Sequence, residues 1–108
     1  MPEHLGEVEQ LILLAVLRLC GDAYGVGIRE EISTRAGRRI SVGGIYTVLA
    51  RLEERGLVSS QLSEATHARG GRRRKLYTAT ARGREVMQAT WDGLGRMAEG
   101  VLRSSEGR

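Results

Sequence analysis

Apolar residues at positions 5, 8, 12, 15 and 19 follow a three–four spacing that predicts a helix from Leu5 to Leu19. Leu11, Leu14 and Val16 widen the stripe, so its face is broad enough to touch two neighbours. Gly21-Asp22 then interrupts the pattern and starts a turn. A second helix is predicted from Tyr24 to Ala36, carried by Val26, Ile28 and Ile32. Gly25 and Gly27 weaken its first turn, and Gly37 is the expected C-cap. Arg38-Arg39-Ile40 is too short to assign, with a small strand edge as one option. Ser41 is a good N-cap, because its hydroxyl can accept from an unpaired helix N–H. The third helix then runs from about Val42 to Arg55, with Ile45, Leu49 and Leu52 on one face and Gly56 as its stop.

After Gly56 the period changes from helical to alternating. Leu57–Leu62 and Arg74–Ala79 read as paired strands, joined by the polar stretch Ser63–Arg73 with its Gly70-Gly71 pair. Thr80 is the expected N-cap of a last helix from about Ala81 to Leu102. In it Met87, Trp91, Leu94, Ala98 and Val101 keep a four–three rhythm, a heptad seam. Gly93, Gly95 and Gly100 lower its intrinsic stability, so it is expected to depend on docking, with residues 103–108 fraying. The expected fold is mainly α with a small β-hairpin: a winged helix-turn-helix over residues 1–80 and a C-terminal dimerisation helix with a frayed tail over 81–108.

Composition narrows this picture. A chain of 108 residues fits one domain and buries roughly two thirds of its extended surface. Phe is absent, so the core must rest on Leu, Ile, Val and Ala. The formal net charge of +4 is unevenly spread. Residues 1–34 hold 2 basic and 6 acidic residues, residues 35–84 hold 12 and 3, and residues 85–108 hold 3 and 4, giving −4, +9 and −1. The middle block is the expected contact surface for a polyanion. The single cysteine, Cys20, ends an apolar run and reads as a small buried residue. One Cys with the separated His4 and His67 supplies no zinc site, and no cofactor is implied. The apolar run Leu11–Leu17 is too short to span a membrane and is preceded by Glu3, Glu7 and Glu9, which argues against a signal peptide. A reducing, cytoplasmic setting is expected. No nucleophile–base grouping appears, and Gly43-Gly44 lacks the Gly-Lys of a phosphate loop, so an enzyme is not expected.

Two features in the basic block carry candidate chemistry. With Ile45, Leu49 and Leu52 facing inward, Gly43, Tyr46, Thr47, Ala50 and Arg51 face solvent, just after Ser41. Such a small-faced helix start approaches phosphates closely and fits a DNA major groove. The plainer alternative is an amphipathic helix whose Tyr46 simply packs. The second feature is Arg69-Gly70-Gly71-Arg72-Arg73-Arg74-Lys75, which sets five cations on or beside a hairpin tip. Arginine on a thin loop suits a narrow minor groove and its flanking phosphates; the alternative is a solvated loop. Lys75 and Tyr77 are expected to share one strand face, opposite Leu76. An RNA-binding module and a protein-interaction module remain open. Competition between duplex DNA and structured RNA separates the first from a DNA reader.

The segments LGEVEQLILLAVL, AYGVGIREEI, SVGGIYTVLARLEERGLVSS and GGRRRKLYTATARGREVM resemble the successive signatures of PadR-type transcriptional regulators, over about residues 5–90. IYTVLARLEERGLV followed by GGRRRKLY is the specific part, and short forms with a single C-terminal helix are the nearest sort. The resemblance implies a homodimeric regulator, usually a repressor, on a palindromic operator in double-stranded DNA. It implies that the helix starting near Ser41 is the recognition helix, that Tyr46 lies at the DNA backbone, and that the Gly-Gly-Arg-Arg wing also touches DNA. The DNA-contact candidates are therefore Ser41, Gly43, Tyr46, Thr47, Arg51, Arg72, Arg73, Arg74 and Lys75. The first and last helices are implied to pair across the dimer, through Leu5, Val8, Ile12, Met87, Trp91, Leu94, Ala98 and Val101. Some relatives hold a flat aromatic or phenolic effector between subunits. Trp91 is the candidate for that contact, its alternative role being a packing anchor.

Overall fold

The broad apolar stripe of the first segment becomes helix α1, Glu7–Leu19, in a computed structural model that describes residues 3–63 and 74–103. Glu9 Oε1 accepts from the Gly6 N–H at 2.8 Å, satisfying one of the donors that a helix start leaves open. The helix ends on Cys20, which takes a left-handed conformation at φ 30°, followed by Gly21 at φ 91°. That cap corrects the expectation for Cys20: the reversed backbone turns its thiol outward, and the residue is exposed.

Helix α2 spans Gly25–Ala36 and ends at Gly37, whose φ of 67° is the left-handed turn that glycine adopts without strain. Helix α3 spans Val42–Glu54 and is capped as the sequence suggests, with Ser41 Oγ accepting from Gly44 N at 3.0 Å. Gly56, at φ 75°, ends it and turns the chain into the sheet.

Strands β1 (Val58–Leu62) and β2 (Lys75–Ala79) pair antiparallel, with Val58 opposite Ala79 and Leu62 opposite Lys75. The turn between α1 and α2 adds a third, single-residue edge: Tyr77 N donates to Ala23 O at 2.8 Å. Helix α4 covers Ala81–Ala98. Thr80 ties its start down twice, since its hydroxyl accepts from Gly83 N at 3.0 Å and donates to Gly56 O at 2.7 Å.

One apolar cluster joins all these elements. Ile12, Leu13 and Val16 from α1, Ile28 and Ile32 from α2, and Ile45, Leu49 and Leu52 from α3 meet Leu57, Val58, Tyr77 and Met87. Met87 brings the first half of α4 into this core, whereas its second half projects Trp91, Leu94 and Met97 into solvent. The helix stops at Ala98, short of the expected Leu102, because Gly100 turns the chain at φ 79°. Val101 therefore lies beyond the helix, and the heptad seam ends at Ala98. Among the described residues no helix is long and apolar enough to cross a membrane.

Candidate nucleic-acid interface

The outer face of α3 carries the candidate contacts, and the inner face explains why. Ile45, Leu49 and Leu52 have no exposure, which forces Gly43, Tyr46, Thr47, Ala50 and Arg51 outward. Ser41 uses its oxygen as an acceptor in the cap, so its own hydroxyl proton is left to donate. Thr47 differs. Its hydroxyl donates to Gly43 O at 3.0 Å, which ties that proton to the helix.

Tyr46 is 39% exposed, so both readings of it hold some truth. Its ring lies directly over Gly25: a Cβ there would sit 2.5 Å from Tyr46 Cζ and Oη. Its centroid is also 6.5 Å from that of Tyr77, a tilted aromatic pair. Tyr46 thus packs on α2 and β2 while keeping one edge in solvent. The glycine that weakens α2 by propensity is there because a tyrosine from α3 needs the space.

Tyr77 links the helix to the hairpin. Burial pushes its phenol above the ordinary tyrosine pKa, and the charge of Glu53 and the neighbouring Tyr46 add to the shift. Lys75 sits two residues away on the same strand face, its Nζ 5.8 Å from the Tyr77 ring centre, and is exposed. The expected alternation holds, and the buried Tyr77 ring lies between exposed Tyr46 and exposed Lys75, linking α3 to the foot of the hairpin from beneath the surface. Arg74 turns elsewhere, with its guanidinium carbon 3.8 Å from the centre of the Tyr24 ring. Arg72 and Arg73 lie outside the described residues.

The charge map is narrower than the block sums suggest. Arg55 bonds Glu3, Glu9 and the His4 carbonyl; Arg38 bonds Glu7; and Arg82 bonds Glu3. Three cations of the basic block are therefore neutralised by acids from the first nine residues. Arg35 shares Glu31 with Arg18, and the hydrogen bond from Arg35, opposed by desolvation and aided by Arg18, holds the Glu31 carboxyl below its ordinary pKa. Among the described residues of the block, Arg39, Arg51, Arg74, Lys75 and Arg84 form no ion pair with any described acid. Those long-range pairings, 31 to 79 residues apart, leave no local signature in the sequence.

The residues singled out for dimer contact divide into two groups. Leu5, Ile12 and Met87 are 2%, 0% and 3% exposed, so the protomer's own core uses them and they cannot pair across an interface. Val8 and Ala98 are half-buried, while Trp91, Leu94 and Val101 are 54%, 52% and 76% exposed. Met97, which the heptad rhythm passes over, is 80% exposed beside them, and Leu14 is the outward apolar residue of α1. The sequence signal for Met97 is its place three residues after Leu94, which sets it beside that residue on the helix surface although it is outside the heptad rhythm.

Known proteins resemble this chain in sequence and fold. Residues 13–89 match the family model described as the Transcriptional regulator PadR-like family. Transcriptional regulator Rv3488 of Mycobacterium tuberculosis is 35% identical over 81 residues, which are 75% of this chain and 71% of that protein. The crystal structure of a PadR family transcription regulator from Clostridium difficile superposes with a TM-score of 0.72 at 25% identity, over 91% of this chain and 100% of the other. A transcriptional regulator from Clostridium thermocellum gives a TM-score of 0.66 at 25% identity, over 89% and 93%.

Proposed function

The chain belongs to the PadR-like family of transcriptional regulators, and on that premise we propose that it acts as a homodimeric repressor on a palindromic DNA operator. The observation that carries the reading is the run from Tyr46 through Tyr77 to Lys75, which joins the exposed face of α3 to the base of a cation-rich hairpin. A helix in the major groove with a basic hairpin beside it divides recognition between base edges and phosphates. Ser41, Gly43, Tyr46 and Arg51 are the proposed contacts from α3. Lys75, Arg72 and Arg73 are the proposed contacts from the hairpin. Thr47 joins them as an acceptor, since its hydroxyl proton is committed to Gly43 O and its oxygen keeps its lone pairs. The cell compartment proposed is the cytoplasm, where duplex DNA is within reach.

The dimer proposal rests on the projecting half of α4. Among the described residues, Trp91, Leu94 and Met97 form a largely exposed apolar stripe, with Ala98 beside them. A stripe of this kind is what a second copy covers in a two-fold, self-complementary contact. Trp91 is the only tryptophan in the chain, so an aromatic effector bound at that seam would report itself by fluorescence quenching. Replacement of Trp91 by glutamate is expected to give a folded monomer with operator affinity reduced at least tenfold, seen by sedimentation. A W91E protein that stays dimeric removes the stripe from the interface.

The direct test of the reading is protection mapping on the DNA upstream of the protein's own gene. The expected result is two related half-sites about one helical turn apart, centre to centre. Preference for structured RNA over every duplex fragment would overturn it.

A further inference from the structure

We infer that Arg74 is a positioning residue rather than a phosphate contact: stacked on Tyr24, it latches the base of the hairpin to the start of α2. The inference rests on the DNA-binding reading above for its consequence, though not for its geometry.

Three observations converge on this residue. Its guanidinium carbon lies 3.8 Å from the Tyr24 ring centre, well within the range of a cation–π stack, and both side chains are half-buried. Its backbone closes the hairpin, since Arg74 N donates to Ser63 Oγ at 2.9 Å and Ser63 N donates to Arg74 O at 2.7 Å. The last strand pair, Leu62 with Lys75, lies immediately inside that closure. Arg74 therefore ties the base of the hairpin, where it meets Ser63, to the ring of Tyr24.

Tyr24 is a firm anchor. It is the N-cap residue of α2, and its ring rests against Gly27, where a Cβ would come within 3.1 Å of Tyr24 Cε1. Its neighbour Ala23 accepts from Tyr77 N at 2.8 Å. The α1–α2 turn thus holds β2 at two points, Tyr77 by backbone and Arg74 by side chain. The backbone bond holds the middle of β2, already paired with β1, and the side-chain stack holds the residue just before the strand. A planar guanidinium stacks flat on a ring, whereas an ammonium is a point charge, so lysine does not replace it here. The cations at the hairpin base have separate tasks: Lys75 faces solvent beside Tyr77, and Arg74 faces the body.

The test pairs a DNA-free readout with a DNA-bound one, both on the full chain. In the free protein, Tyr24→Leu and Arg74→Met are expected to speed amide exchange at Ser63 by about two- to fivefold, the worth of one exposed cation–π interaction. Tyr24→Phe keeps the stack and the wild-type rate. The Tyr24→Leu, Arg74→Met double variant is no faster than either single one. On operator DNA, Arg74→Met is expected to lower affinity at every salt concentration with the slope of log affinity against log salt unchanged, and Arg74→Lys does not restore it. Wild-type exchange in Tyr24→Leu overturns the latch. So does a slope that falls by about 0.9 in Arg74→Met, the signature of one phosphate no longer neutralised. If the wild-type chain binds no duplex at all, the functional reading fails, and the exchange data still decide the latch.

Discussion

Replacing Gly83 with alanine is expected to destabilise the fold by about 1–3 kcal/mol, lowering the melting midpoint by roughly 10 °C. A Cβ at that position would lie 2.0 Å from Leu57 O. The obstacle is backbone, and it cannot yield easily. Leu57 O is held by Thr80 N at 3.0 Å, and the preceding carbonyl, Gly56 O, by the Thr80 hydroxyl at 2.7 Å. Leu57 itself is fully buried. The helix must move away from the sheet, and Met87, one turn further along, moves with it out of the core. Gly43→Ala is the control, because nothing lies within 4 Å of its Cβ position. That change is expected to leave the fold intact or stabilise it by up to about 1 kcal/mol. Thermal unfolding of the two variants beside wild type is the measurement, and equal midpoints for Gly83→Ala and wild type would contradict the packing described.

The second large effect falls on DNA binding rather than on the fold. In Gly25→Ala the new Cβ would meet Tyr46 Cζ and Oη at 2.5 Å. Here the obstacle is the tip of a 39% exposed side chain, which can swing outward. The fold is expected to lose about 1 kcal/mol. The ring, however, leaves its place between α2 and Tyr77, and the hydroxyl moves off the outer face of α3. Operator affinity is expected to fall about tenfold or more, the worth of one hydrogen bond to a charged group (about 1.5–3 kcal/mol). Tyr46→Phe separates the two roles of that side chain, since it keeps the packing and removes only the hydroxyl. A comparable affinity loss in both variants, with little change in melting, assigns the effect to the hydroxyl. Full affinity in Gly25→Ala would show that the position of Tyr46 does not matter to binding.

Much of this fold is legible from residue order because it is local. Ser41 and Thr80 cap the helices that follow them, Gly37 and Gly56 end the helices before them, and the alternation in LYTA identifies β2. These signals act over three or four residues, so the sequence displays them directly. What is not legible depends on distant partners. The stripe of α1 gives an apolar face without saying whether it meets the same chain or another, which is why Leu5 and Ile12 read as interface residues and are found in the core. The seam of α4 measures apolar spacing and contains no stop, so it runs past Ala98 to Val101. Gly25 and Gly83 look like weak helix positions until the side chain or backbone pressed against each is known. Cys20 turns outward through a cap whose left-handed backbone the spacing of the helix does not announce.

The charge sums mislead in the same way. They count Arg38, Arg55 and Arg82 toward a free cationic surface, whereas Glu7, Glu9 and Glu3 occupy them. The acidic start of the chain therefore trims the basic block, and less of it remains to face a polyanion than composition implies. Among the described residues of the block, the cations outside an ion pair are Arg39, Arg51, Arg74, Lys75 and Arg84.

The most direct test of DNA contact by the hairpin is the salt dependence of operator binding by wild type and by a variant with Arg72, Arg73 and Lys75 changed to alanine. Neutralised phosphates release counterions, so the slope of log affinity against log salt counts them at roughly 0.9 each. A clearly shallower slope is expected for the variant, by about 0.9 for every phosphate left without its cation, with the melting midpoint unchanged. An identical slope would mean that the hairpin cations do not touch DNA, and that α3 binds without them.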